Sequence, residues 1–244
     1  MLHLLFLAFL GILALLLGTI LTFFIGFYVR HQYRELVLWH TSTEKRLEDR
    51  QVREPDNPIM AEKLATLYIW RKNRSAGETR QEQALKAFLW YERAYQLTTD
   101  KLHKLGMLHN LAKLACDAFV DEKAAEYATE LLRSLSEQPN YGKGSAVHDG
   151  NLVFGRLALR RGKIAEAKKY LLKAGRTTGG PGLNTGGPDM ILAQELLEQR
   201  ESETVLQYFA LCATFWKMDY GKLKRWTRQV QNGQTPDFGK QLYR

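Results

Sequence analysis

The chain has 244 residues, 35 Lys and Arg against 26 Asp and Glu, a formal net charge of +9 and two cysteines. Two cysteines exclude a disulfide-dense scaffold, and the charges are mixed rather than blocked, the pattern of a solvated helical surface. The positive excess suits an anionic membrane surface, an acidic partner or nucleic acid, and the length suffices for one core or an extended repeat array.

Residues 4–29 contain no Asp, Glu, Lys or Arg, and their only polar side chains are Thr19, Thr22 and the tip of Tyr28. A bilayer core needs about 20 apolar residues in helical form. This run would reach about 39 Å as a helix, which implies tilt or ends that reach the headgroups. A secretory signal has a basic start, an apolar core of roughly 7–15 residues and a small-residue cleavage site. Here Met1-Leu2-His3 lacks Lys and Arg, the run is longer, and Arg30-His31-Gln32-Tyr33-Arg34 follows it. Residues 1–29 are therefore expected to form one transmembrane helix. Arg30, Arg34, Lys45 and Arg46 flank its C-terminal end, which places the remaining chain on the cytoplasmic side, with the periplasmic side as the alternative. Gly11, Ala14 and Gly18 form a stripe of small residues on which another transmembrane helix could pack closely.

Residues 30–57 read as a juxtamembrane helical stalk. Thr41 and Glu44 have capping-box spacing, and Pro55-Asp56-Asn57-Pro58 breaks the chain. Asn57 is a suitable N-cap and Pro58 a suitable first helical residue. From 58 to 216 the apolar residues recur at helical spacing, and strand signals are lacking. The clearest unit is 151–175, with Phe154-Gly155 on a first helix, Gly162 at the turn, and Ala167, Leu171 and Ala174 on a second. Weaker units lie at 60–100, 108–132 and 191–212. Their matching positions are Leu64-Ala65, Ala87 and Ala94; Leu111-Ala112, Ala124 and Ala128; and Leu192-Ala193, Val205 and Cys212. The first has a long polar turn, RKNRSAGETRQE, and the last has Arg200 where a turn glycine is usual.

These small positions, in register in the 151–175 unit, resemble the tetratricopeptide repeat. The resemblance covers residues 58–216 and implies an all-α protein: a short superhelix of helical hairpins with a concave face for a partner segment. None of the units has the family's Trp at the start of its first helix, and the family's carboxylate clamp is not reproduced. The AVHDGN pattern at 146–151 and the Gly/Asn loop at 176–189 also resemble a set of uncharacterised bacterial repeat proteins, which implies no activity. Within the repeat resemblance, His109, Lys113, Arg156 and Arg160 face the groove. They would make it basic and suited to an acidic or C-terminal protein segment.

The loop at 176–189 carries TGGP twice, at 178–181 and 185–188, and reads as a connection that clears two bulky hairpins. Residues 217–244 form a capping helix and tail. Leu223, Trp226 and Val230 share one face of a basic amphipathic helix at 221–231, suited to capping, with a membrane surface or acidic partner as the alternative use.

No catalytic constellation is found. Gly142-Lys143-Gly144-Ser145 lacks the glycine spacing and the preceding strand of a phosphate loop. No histidine pair has the i, i+4 spacing of a zinc site, and neither cysteine forms C-x-x-C. Basic residues interleave with aromatics only at 222–228, which argues against nucleic acid. No cofactor is expected. The reading is a membrane-anchored scaffold or adaptor that binds a protein partner, as an accessory subunit of a larger membrane complex. Alternatives are an envelope-assembly or chaperone-like factor facing the periplasm, and a nucleic-acid binder or enzyme using the basic surface.

Overall fold

The structure, a computed structural model, describes residues 43–137 and 142–242. The apolar stretch 4–29, with Gly11, Ala14 and Gly18, lies outside them, as does Thr41. The chain is all-α: among the described residues no strand occurs, and no helix is long and apolar enough to cross a membrane. It divides into two units, 1–54 and 55–244. In the first, residues 43–53 are helical.

The second unit is built from α1 (Pro58–Lys72), α2 (Gly77–Leu97), α3 (Lys101–Asp117), α4 (Asp121–Glu137), α5 (Lys143–Arg160), α6 (Ile164–Gly175), the short α7 (Pro181–Gly186), α8 (Ile191–Glu198), α9 (Ser202–Phe215), α10 (Lys222–Gln231) and a 3-10 turn at Gly239–Leu242. The expected start holds: Asn57 Oδ1 accepts from the Ile59 N–H at 3.0 Å and Pro58 opens α1. Asp100 does the same for α3, accepting from the N–H groups of Leu102 and His103 and supplying negative charge at the helix N-terminus. The polar stretch at 71–82 is shorter as a turn than its composition suggests. Only 73–76 is non-helical, and residues 77–79, 81 and 82 are the exposed first turns of α2.

Successive helices pack as hairpins: α1 on α2, α3 on α4, α5 on α6, and α8 on α9. Each hairpin packs on the next, and the first helices α3 and α5 also touch directly. Helix α5 is shared by both parts of the core. Ala146, Val153 and Leu157 join the cluster built from α1–α4, whereas Leu152 and Ala158 join the cluster built from α6–α10.

One turn recurs at the end of α3, α5, α8 and α10. Phe119, Gly162, Arg200 and Gly233 each have positive φ, between 60° and 74°. The next residue donates its N–H to the carbonyl five positions back: Val120 to Ala115, Lys163 to Ala158, Glu201 to Leu196, and Gln234 to Gln229, at 2.9–3.0 Å. This pattern is the Schellman motif, which satisfies the last carbonyls of a helix and reverses the chain. Seven residues before the first three turns stand buried Ala112, Gly155 and Ala193, and five after stand buried Ala124, Ala167 and Val205. In three of the four hairpins a fixed turn thus carries small side chains to the crossing. At Gly155 an added Cβ would lie 2.3 Å from Leu192 Cδ2 and 3.1 Å from Tyr170 Cβ. In the fourth occurrence the same two places hold Trp226 and Phe238, which fill the end of the core. Trp226 stands 5.0 Å from Phe238 and 5.8 Å from Trp216 between ring centroids.

Gly155→Val is expected to destabilise by about 1–3 kcal/mol through overpacking. Gly182→Ala, where nothing lies within 4 Å, should stay within about 0.5 kcal/mol of wild type. Arg200→Gly, which relieves a left-handed non-glycine residue, should stabilise by up to about 1 kcal/mol. Urea denaturation of the three variants measures all of these effects.

Candidate functional site

The first helices of the hairpins are joined by a ladder of charges. Lys72, the last residue of α1, donates to Asp117 Oδ2 at 2.6 Å. Arg156 of α5 donates to Asp117 Oδ1 at 2.7 Å and, through Nε, to Glu195 of α8 at 2.9 Å. Signs alternate from α1 to α8, one residue per helix. Lys72, Asp117 and Arg156 have side chains no more than 11% exposed, so water screens the ladder weakly. Asp117 ends its helix, where the dipole disfavours an anion, and the two cations overcome that. Burial alone would raise its carboxyl, but Lys72 and Arg156, by charge and by hydrogen bonding, hold it well below the usual carboxylate range. For Arg156, burial opposes the charge, and the paired carboxylates of Glu195 and Asp117 raise the guanidinium well above its ordinary value.

A second centre forms around Asp149 of α5. Its Oδ2 accepts from His109 Nδ1 at 2.9 Å and lies 3.5 Å from Lys113 Nζ, and its Oδ1 lies 2.8 Å from His148 Nδ1. Burial would raise the Asp149 carboxyl, but Lys113, with the bonds from His109 and His148, draws it well below its ordinary value. The fully buried His148 presents Nε2 to the Tyr208 hydroxyl at 3.1 Å, and that hydroxyl reaches the Asp189 carbonyl at 3.0 Å. These groups bond one another rather than converging on a centre, and no metal-binding cluster occurs among the described residues.

The loop at 176–189 is a packed element rather than a clearance. Thr177 Oγ1 donates to the Gly144 carbonyl, and an added Cβ at Gly144 would sit 1.5 Å from the Gly179 carbonyl oxygen. Gly187, at φ 92°, lies against the Trp216 ring. The N–H groups of Lys217 and Met218 donate to the Asn184 carbonyl. The start of α8 is capped by the chain itself, since Asp189 Oδ1 accepts from the Ile191 N–H at 2.9 Å. Burial raises the Asp189 carboxyl.

Two small clefts open between these elements and share Lys113 and Asp189. The first, about 60 Å³, is bounded by Lys72, Asn110, Asp117, Arg156 and Leu242; the other, about 180 Å³, by Ser145, His148, Asp149 and Leu183. Leu242 reaches the first because the tail folds back. The Met190 N–H donates to the Gln241 carbonyl, and Gln241 Nε2 donates to the Gly186 carbonyl, both at 2.8 Å.

The four groove residues named from the sequence fall into three places. His109 and Lys113 come together on Asp149. Arg156 lies within the ladder. Arg160 pairs with Asp121, donates to the Cys116 carbonyl and stacks 4.0 Å over Phe119. All four are engaged by acceptors of the chain itself, so the face is a balanced array rather than a free basic groove. Sequence reasoning missed Lys72, Asp117, Asp149, Asp189 and Glu195. Asp117, Arg156 and Glu195 stand 39 residues apart, a spacing the sequence reading did not use, and Asp189 caps α8 two residues before Ile191. Comparison with family models, with curated proteins and with solved structures finds no match.

Asp117 and Asp149 titrate below their ordinary range, so their stabilisation is complete above the unfolded value of about 3.9. It is lost as pH falls through the folded values. Asp117→Asn should cost about 3–5 kcal/mol at pH 7 by leaving Lys72 and Arg156 without their shared anion, and should flatten the loss of stability as pH falls from about 4 to 2. Thermal melting followed by circular dichroism across that range measures both effects.

Proposed function

We propose that this chain is a membrane-anchored helical-repeat adaptor that holds a protein segment across its first helices. The observation that carries the reading is the shared face of α1, α3, α5 and α8, where Lys113 and Asp189 border both clefts. The recurring turn and the small crossing positions support a tetratricopeptide-like superhelix, in which the first helices line the concave side. The engaged charges refine what such a segment would offer. Arg156, Arg160 and Lys113 already have carboxylates, so recognition rests on Asn110, with Lys113 and Asp189 at the rim of the clefts. Asn110 donates one amide hydrogen to Tyr91, and its remaining amide groups can pair with a backbone. A peptide backbone paired with the Asn110 amide fits that set. The apolar stretch 4–29 and the basic flank Arg30 and Arg34 support an anchor with this unit on the cytoplasmic side, where the partner would belong to a membrane complex.

A photoreactive amino acid in place of Asn110, in the full chain in its native membrane, should crosslink one discrete partner. The same group in place of the outward Glu126 should not. Lys113→Met should weaken the crosslink and, because it takes a cation from the buried Asp149, should also lower the melting temperature. Equal labelling from both positions, or none from Asn110, counts against a partner cleft on this face.

A further inference from the structure

Helix α10 buries Leu223, Trp226 and Val230 against α9 and the tail, and it turns Lys224, Arg225 and Arg228 outward. These three form no ion pair among the described residues, in contrast to the cations of the ladder. The acids nearest in sequence are both occupied by backbone: Asp219 accepts from the N–H groups of Gly221 and Leu223, and Asp237 from that of Gly239. Between them, residues 220–236 contain no carboxylate. Gly221, Lys224, Arg225, Arg228, Gln229 and Asn232 line a shallow depression of about 410 Å³. Just ahead of Gly221 in the chain stand two exposed apolar side chains, Met218 at 44% and Tyr220 at 77% exposure. Tyr220 keeps a left-handed backbone, φ 51°, directly before the helix.

We propose that this end of the domain is a peripheral docking surface for anionic phospholipid headgroups. Lys224, Arg225 and Arg228 would meet the phosphates, and Tyr220 and Met218 would enter the interface. The apolar face of α10 is already inside the domain, so the helix lies against the bilayer rather than inserting its hydrophobic side. Unpaired cations are attracted to the negative cytoplasmic leaflet, and a rim of exposed aromatic and thioether side chains suits the headgroup depth. The choice of lipid over an acidic protein rests on the anchored reading above, because a tether makes the leaflet a partner at high effective concentration. The domain would then be held to the membrane at two places, through the apolar stretch and through α10.

The test uses the full chain in bilayer nanodiscs. Tyr220→Cys carries an environment-sensitive fluorophore, since Cys116 and Cys212 are buried. The emission should be brighter and blue-shifted in phosphatidylcholine–phosphatidylserine discs relative to phosphatidylcholine alone, and high salt should reverse the change. Lys224→Glu with Arg228→Glu should abolish it, while Lys169→Glu, exposed on a different helix, should not. Melting curves confirm that the exposed substitutions leave the fold intact. Emission that is the same in both discs overturns the proposal. A response to poly-glutamate with none to phosphatidylserine also overturns it and assigns the surface to an acidic protein. Release of the chain from vesicles by alkaline carbonate counts against the anchor alone, because the fluorophore reads α10 separately.

Discussion

Arg156 is the charge on which this domain depends. It sits in α5, the helix common to both parts of the core, and binds Asp117 on one side and Glu195 on the other. Lys72 extends the chain of charges to α1. Hydrophobic packing between helices tolerates small slips, because apolar contact is non-directional. A buried guanidinium between two carboxylates tolerates few, because each unpaired charge would face a low-dielectric surround. The apolar clusters supply the driving force, and the ladder selects one register of the first helices. That same register brings Asn110, Lys113 and Asp189 to the rim of the clefts.

This arrangement explains why the face is not a reservoir of positive charge. The chain carries a net +9, yet Lys72, Lys113, Arg156 and Arg160 on its first helices are each set against a carboxylate of another helix. The unmatched cations lie elsewhere, most densely on α10. Two kinds of surface follow. The first-helix face can discriminate by hydrogen-bond geometry, since its charges are neutralised and fixed. The α10 face offers charge without fixed geometry, which suits a fluid partner such as a lipid leaflet.

Much of the fold was legible from small residues. Gly155, Ala167 and Ala174 mark a hairpin crossing because a larger side chain would meet the opposite helix, and the structure buries Ala112, Ala124 and Ala193 at matching places. The helix start at Asn57 and Pro58 was legible for local reasons of capping. Other features left no such trace. Phe119 and Arg200 adopt the left-handed turn that Gly162 adopts, although neither residue type favours it; the closing bonds from Val120 to Ala115 and from Glu201 to Leu196 hold it. Asp117, Asp149 and Glu195 each look like ordinary helical surface residues, and only the stacking of hairpins sets them against Arg156, His109 and Lys113. The double TGGP loop had a signal, its glycines, but their reason is the closeness of Gly144, Gly179 and Gly187 to backbone and to Trp216.

The central claim is that one buried ladder holds the first helices in a common register. Hydrogen exchange on the full chain with Arg156→Met tests it most directly, since methionine keeps much of the apolar volume and removes the charge. The account predicts lower protection in the last turns of α1 and α3 together with α5 and α8, while α10 keeps wild-type protection. A change confined to α5, with α1 and α8 exchanging as in the wild type, would contradict it.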